Sequence, residues 1–193
     1  MLLPTECAAC GALGPSPCPG CRAALRPAPA LPTPVALDRL RSLLSYEGAG
    51  RELVARLKYR NARASLPWLA AGMAALVDRD EVDLVSWVPT TARRRRSRGF
   101  DQGRLLARSV AAALGRPCQA TLHRLAGPAQ TGRTLAERRA GPRFRAKGRP
   151  GGRVLLVDDV CTSGATMTAA ARALRAAGVA RVEGLTTARA PRR

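Results

Sequence analysis

Two groups of residues in this 193-residue chain have the types and spacing to do chemistry. The first is the run Val154-Leu155-Leu156-Val157-Asp158-Asp159-Val160-Cys161-Thr162-Ser163-Gly164-Ala165-Thr166-Met167. An apolar strand there would deliver two adjacent carboxylates to the C-terminal edge of a parallel sheet, where ligands bind in open α/β folds. The loop that follows is small and rich in hydroxyls, and it opens a helix. Backbone N–H groups at a helix N-terminus, joined by the hydroxyls of Thr162, Ser163 and Thr166, form a receptor for one phosphate, and Gly164 lets the backbone approach it. Carboxylates beside such a receptor suit the hydroxyls of a sugar, or a Mg2+ held through water. No Gly-Lys-Ser/Thr follows, so the loop is not of the Walker A type.

The second group is Cys7-Ala8-Ala9-Cys10 and Cys18-Pro19-Gly20-Cys21, two CxxC pairs that together offer four thiolates. Four sulfur ligands suit tetrahedral zinc, and a closed set leaves no position for water, so such a zinc is structural rather than catalytic. Two disulfides or four idle thiols are the alternatives, and a reducing compartment disfavours the disulfides. Cys118, Cys161 and the single His123 have no partner in the sequence.

A third stretch, Val88-Pro89-Thr90-Thr91-Ala92-Arg93-Arg94-Arg95-Arg96-Ser97-Arg98-Gly99-Phe100-Asp101-Gln102, sets five guanidiniums just after an apolar run. Arginine suits bidentate phosphate contacts. By itself the run fits a solvated loop as well as a binding site. Beside a phosphate receptor it makes Thr90, Arg93, Arg94, Arg95, Arg96 and Arg98 candidates for a second anion.

The elements that must position these groups follow from pattern. Val82–Pro89 reads as a buried strand stopped by proline, followed by a basic loop. Residues 153–158 read as a strand, 165–177 as a helix ended by Gly178, and 181–187 as a strand, which together make a βαβ unit with parallel strands. Upstream, Leu40 to Tyr46 suggest a strand or short helix, Leu53, Val54 and Leu57 mark a helix face, and residues 66–78 continue as an alanine-rich helix. Leu105 to Ala113 give a further helix. Residues 126–152 are rich in Gly, Pro and Arg, which predicts a mobile stretch. The prolines between Arg26 and Pro34 read as a stiff linker. The expected organisation is a four-cysteine zinc module with its linker over residues 1–35 and an α/β domain over 36–193.

The formal charge is +20, from 33 Lys plus Arg against 13 Asp plus Glu, and only Lys58 and Lys147 are lysines. This excess suits a polyanionic ligand, either nucleic acid or a polyphosphate metabolite, although a solvated basic surface would show the same balance. No apolar run approaches a membrane span, and the first residues lack the pattern of a secretory signal, so a cytoplasmic chain is expected.

The strand, the two acids and the Thr/Ser/Gly loop resemble the signature by which type I phosphoribosyltransferases bind phosphoribosyl pyrophosphate (PRPP). That resemblance implies that Asp158 and Asp159 contact the ribose 2′- and 3′-hydroxyls with Mg2+ nearby. It also implies that Thr162, Ser163, Gly164, Ala165 and Thr166 cradle the 5′-phosphate, and that the arginine segment takes the diphosphate. Purine-salvage members use an Asp within this loop as a proton acceptor; Thr162 stands at that position here. Together with Glu52 to Tyr59, Gln130-Thr131-Gly132 and Ala136-Glu137-Arg138-Arg139, these motifs resemble the ComF competence-protein family. The family resemblance implies a type I phosphoribosyltransferase fold behind a zinc module, a flap over residues 126–145, and a role linked to DNA uptake. Asp101 departs from the family, which carries Asn there. Two functions stay open: an enzyme that transfers a phosphoribosyl group to an unassigned acceptor, and a non-catalytic protein that keeps the fold and binds single-stranded DNA or a helicase partner. The scarcity of aromatics, 3% of residues, argues against base stacking as the main mode of DNA binding.

Overall fold

The computed structural model describes residues 5–59, 63–125 and 141–191. Its centre is a four-stranded sheet in the order β1-β6-β5-β2, built from β1 (Arg39–Ser45), β2 (Leu84–Trp87), β5 (Arg153–Cys161) and β6 (Arg181–Arg189). All three strand pairings are parallel. A parallel sheet must be covered on both faces, and the continuous apolar run at residues 154–157 of the central strand β5 meets that burial, while β1 and β6 mix apolar with polar residues. The stretch from Leu40 to Tyr46, open between strand and helix in the sequence, is strand as far as Ser45.

One face is covered by α2 (Gly48–Tyr59), α3 (Leu66–Ala74) and α5 (Gln102–Leu114). Leu57, Met73, Leu106 and Val110 from these helices pack on Val85, Leu155, Val157 and Leu185. The other face is covered by α6 (Ala165–Ala176), whose Met167, Ala170, Ala171 and Leu174 meet Val154, Leu156 and Val182. A small antiparallel hairpin of β3 (Leu122–Arg124) and β4 (Phe144–Ala146) lies on that same face, with Leu122 in its core.

Three sequence expectations change. The basic stretch after β2 is a helix, α4 (Ala92–Arg98), rather than a loop. The Thr91 hydroxyl accepts from the Arg94 N–H at 3.2 Å and Gly99 closes the helix at φ 76°. With a cap at each end and arginine a good helix former, seven residues suffice. Within residues 126–152, Phe144–Ala146 form a strand, because short pairing with Leu122–Arg124 outweighs weak periodicity. Strand β5 runs to Cys161, three residues past its expected end, and its acids therefore lie inside the strand. The predicted flap at 126–145, with the Gln130 and Ala136 motifs, lies largely outside the described residues.

The proline stretch is anchored along its length. Its Arg26 carbonyl accepts from the Ser45 N–H at 2.9 Å, and Arg189 donates to the carbonyls of Leu31, at 3.0 Å, and Pro32, at 2.5 Å. Ahead of it, the second cysteine pair opens α1 (Pro19–Ala23), with Cys18 at the N-cap and Cys21 within the helix. Cys7, Ala8 and Ala9 are buried against Leu53 and Val54 of α2 and Leu69 of α3, so the cysteine segment shares a core with the main sheet's helices. Among the described residues no helix is long and apolar enough to cross a membrane.

Candidate functional site

Side chains alternate across a strand, and this decides the geometry of the acidic pair. Asp158 follows Val154 and Leu156 onto the face of α6 and the hairpin, and Asp159 follows Leu155 and Val157 onto the face of α2 and α5. Asp159 is 7% exposed and both of its oxygens are engaged. Lys58 Nζ of α2 stands 2.9 Å from Oδ1, and Gln102 Nε2 of α5 donates to Oδ2 at 3.0 Å. Asp158 is half-buried, and its Oδ1 accepts the Asp159 N–H at 2.8 Å. Burial, and then the charge of Asp159, push the Asp158 carboxyl up to about 8, against the pull of that N–H and of Lys58. Of two acids adjacent in sequence, one is held within the protein and the other is the group that can respond to a ligand.

The loop after β5 turns directly into α6. Thr162, Ser163 and Ala165 are exposed, Gly164 is buried at the N-cap, and Thr166 lies at the first turn. Gly164 has φ 78°, and a Cβ there would stand 2.7 Å from Pro34 Cγ, so only glycine fits between the helix start and the proline stretch. A cavity of about 460 Å³ opens beside Thr162, Ser163 and Ala165, with Arg172 and Arg189 among its walls. Thr162 and Ser163 thus border open space near Arg172, while the Ala165 N–H donates to Ser163 Oγ at 3.4 Å and neither Thr166 nor Asp158 is among the cavity's walls.

Arg93 to Arg96 on α4 are exposed, with Thr90 half-buried at the head of that segment. The Thr90 N–H donates to Asp101 Oδ2 at 3.4 Å, and Asp101 Oδ1 accepts the Arg104 N–H at 3.3 Å. Asp101 therefore caps α5 and braces the start of the arginine segment, a structural use for the residue that departs from the family pattern. The sequence reading missed Arg124. This half-buried residue on β3 stacks on Phe144, 5.3 Å from the ring centroid, and it lies within electrostatic reach of both Arg94 and Asp158. Burial, then Arg94, lower its pKa, and Asp158 opposes them. An arginine in a three-residue strand carries no sequence signal of its own.

The four cysteine sulfurs lie within 4.8 Å of one another. Cys10 Sγ and Cys18 Sγ are 3.8 Å apart, which is the edge of about 3.8 Å that a tetrahedron of Zn–S bonds near 2.3 Å demands. The N–H groups of Cys18, at 3.3 Å, and Ala9, at 3.5 Å, donate to Cys7 Sγ. Burial opposes ionisation of Cys7, yet N–H donation from Cys10, Cys18 and Ala9 outweighs it and brings the thiol down to about 6. Cys21 is pushed up to about 12 by burial and then by its neighbouring thiols and the Cys7 charge. One thiolate thus makes the next costlier, and a divalent cation supplies the charge that lets all four ionise. The donor set fits zinc. It is the only cluster of three or more His, Cys, Asp or Glu ligands among the described residues.

The second half of the chain has relatives. Residues 101–193 match the phosphoribosyl transferase domain family. The match takes in α5, the hairpin, β5, the loop, α6 and β6, just under half of the chain. The fold class expected from the sequence, a parallel sheet flanked by helices with a phosphoribosyltransferase domain and an N-terminal cysteine cluster, is the one observed. No curated protein matches the chain. Among solved structures it is similar to an allosteric regulatory enzyme of purine biosynthesis, at TM-score 0.45 and 26% identity over 63% of this chain and 25% of that one. It is also similar to the glutamine PRPP amidotransferase from B. subtilis solved with ADP and GMP, at TM-score 0.44 and 26% identity over 62% and 25%. A purine phosphoribosyltransferase from Pyrococcus horikoshii Ot3 aligns at TM-score 0.42 and 16% identity over 62% and 70%. The aligned part thus spans about a quarter of the first two proteins.

Two outcomes follow from this geometry. Metal analysis of protein purified without chelators gives about one zinc per chain, and Cys10→Ser or Cys21→Ser loses it; metal-free protein with all four thiols intact would contradict the site. Asp158 keeps its proton up to about pH 8 when folded but ionises near its ordinary value of 3.8 when unfolded, so the folded state binds more protons between those values and stability falls as pH rises. Asp158→Asn is then more stable than the parent at pH 8, by a margin that shrinks toward pH 4, as read by urea denaturation across pH; a margin independent of pH would contradict it.

Proposed function

We propose that this chain binds PRPP at the C-terminal edge of the sheet and acts as a phosphoribosyltransferase. The observation that carries the reading is the junction of β5 and α6, within the residues that match the family. There Asp158, near the end of the strand, is followed by residues 162–166 at the helix start, the order that supports reading a sugar site and then a phosphate site. In this reading Thr162, Ser163, Gly164, Ala165 and Thr166 hold the 5′-phosphate. Asp158 accepts from the ribose hydroxyls, and Asp159 supports it from the opposite face.

Arg124 and the arginines of α4, Arg94 foremost, face the diphosphate with Thr90 at the head of their segment. The reaction is displacement at the sugar's anomeric carbon: the bond to the diphosphate oxygen breaks, a bond to the acceptor's nucleophilic atom forms, and the acceptor gives up a proton. Mg2+, carried in on the diphosphate, would neutralise the leaving group, and Asp158 would hold it through water. Cationic side chains that meet the charge as it develops on the leaving oxygens stabilise that transition state more than the bound ground state.

The cysteine module in front of this domain, with the Arg-Gly-Phe-Asp-Gln and Glu52–Tyr59 segments, supports assignment to the ComF family, a cytoplasmic setting and a link to DNA uptake. The exposed arginines of α4 favour a second reading, in which single-stranded DNA or a helicase partner binds that helix. Salt dependence separates the two uses of the helix, because long polyanions release many counterions.

Calorimetric titration of Mg2+ and PRPP into the protein above pH 8, where the Asp158 carboxyl is ionised, gives saturable binding, and Asp158→Asn weakens it about tenfold, the value of one hydrogen bond to a charged group. Equal affinity in a folded Asp158→Asn variant would remove the sugar-binding role. A parent protein that ignores PRPP and binds single-stranded DNA would replace the enzyme reading with the second.

A further inference from the structure

Behind the acidic pair lies a polar cluster that the sugar and phosphate reading leaves unused. Lys58 and Gln102 come from different helices and converge on one carboxylate, Asp159. The cluster is enclosed: the side chains of Lys58 and Asp159 are 15% and 10% exposed, and Gln102 is 5% exposed. Donation from Gln102 Nε2 to Asp159 fixes the amide orientation, because the flipped amide would set oxygen against carboxylate. Gln102 Oε1 is thereby left buried without a hydrogen-bond partner among the described residues. Buried acceptors are normally matched, and an unmatched one beside a binding site points to a donor that arrives with the ligand.

Lys58 carries its own signal. Only two of the chain's 33 cationic residues are lysines, so a lysine at this position stands against the chain's usage. A guanidinium brings five donors that a closed site must satisfy, whereas an ammonium is a compact charge with three. The Lys58 ammonium also lies 5.9 Å from the centroid of the Tyr46 ring, which adds a soft, neutral wall on a second side.

Resting on the PRPP reading, we propose that Lys58 and Gln102 complete the sugar site from behind. Lys58 is a positioning residue that keeps Asp159 ionised and fixed at the strand end, and acts on the ligand only through it. Gln102 ties Asp159 to α5 and offers Oε1 to a hydroxyl of the bound sugar phosphate, which makes it a sugar-contact residue. The substrate class this selects is a phosphorylated sugar with free ring hydroxyls, and a bare phosphate does not engage the cluster.

The test uses the full chain and two probes, PRPP with Mg2+ and inorganic phosphate, each titrated calorimetrically. Gln102→Leu and Lys58→Met weaken PRPP about tenfold and change inorganic phosphate by less than about twofold. Because Lys58→Met leaves a buried carboxylate unpaired and can impair folding, Asp159→Asn and the double variant Lys58→Met/Asp159→Asn are measured alongside. The double variant binds PRPP as Asp159→Asn does, since Lys58 has no route to the ligand except Asp159. Unchanged PRPP affinity in Gln102→Leu and Lys58→Met, losses equal for both probes, or a further loss in the double variant would each overturn the inference. A parent protein that fails to bind PRPP would overturn the PRPP reading and this inference together, whereas a binding parent with unaffected variants overturns the inference alone.

Discussion

The alternation of side chains along β5 is the constraint on which the rest depends. It puts Asp158 on the hairpin face and Asp159 on the helix face, and the two carboxylates thereafter have different neighbours. A strand buried on both sides cannot leave two adjacent charges equivalent. One is neutralised by Lys58 and Gln102. The other is left partly dry beside the first, and its proton affinity rises. A ligand that brings hydroxyl donors and cationic charge to Asp158 opposes that rise by stabilising the carboxylate.

The same strand end gathers distant segments. Cys161 closes β5 opposite Arg189 of β6, and Arg189 holds the carbonyls of Leu31 and Pro32. Pro34 packs on Gly164, the residue that starts α6. The proline stretch is therefore part of the wall around the loop after β5, and its other end runs into the cysteine knuckles that sit on α2. Since α2 also carries Lys58, the N-terminal module and the acidic pair share a helix, and a metal that orders the first steadies the support of the second.

Much of this was legible in the sequence because the determinants are local. The apolar run, the paired acids and the Thr-Ser-Gly turn all lie within residues 154–167, and the two CxxC pairs within 7–21, so spacing alone placed them. The strand order, the Lys58 and Gln102 contacts and Arg124 were not legible, because each depends on which elements the fold brings together across tens of residues. The basic stretch was misjudged for a different reason. Its arginines suit solvent and helix alike, and the decision lay with the caps, Thr91 and Gly99. Asp101, where the resemblance carries Asn, was not legible as the cap of α5, because its bonds to the Thr90 and Arg104 N–H groups appear only in the fold.

Magnetic resonance of uniformly 15N-labelled protein titrated with Mg2+ and PRPP reads the central claim residue by residue. The backbone amides of residues 162–166 and the side-chain amide of Gln102 shift together and saturate at one ligand per chain, while the amides of α1 and the cysteine knuckles stay in place. Shifts confined to Arg93–Arg98, with residues 158–166 unmoved, would contradict a sugar-phosphate site at the end of β5.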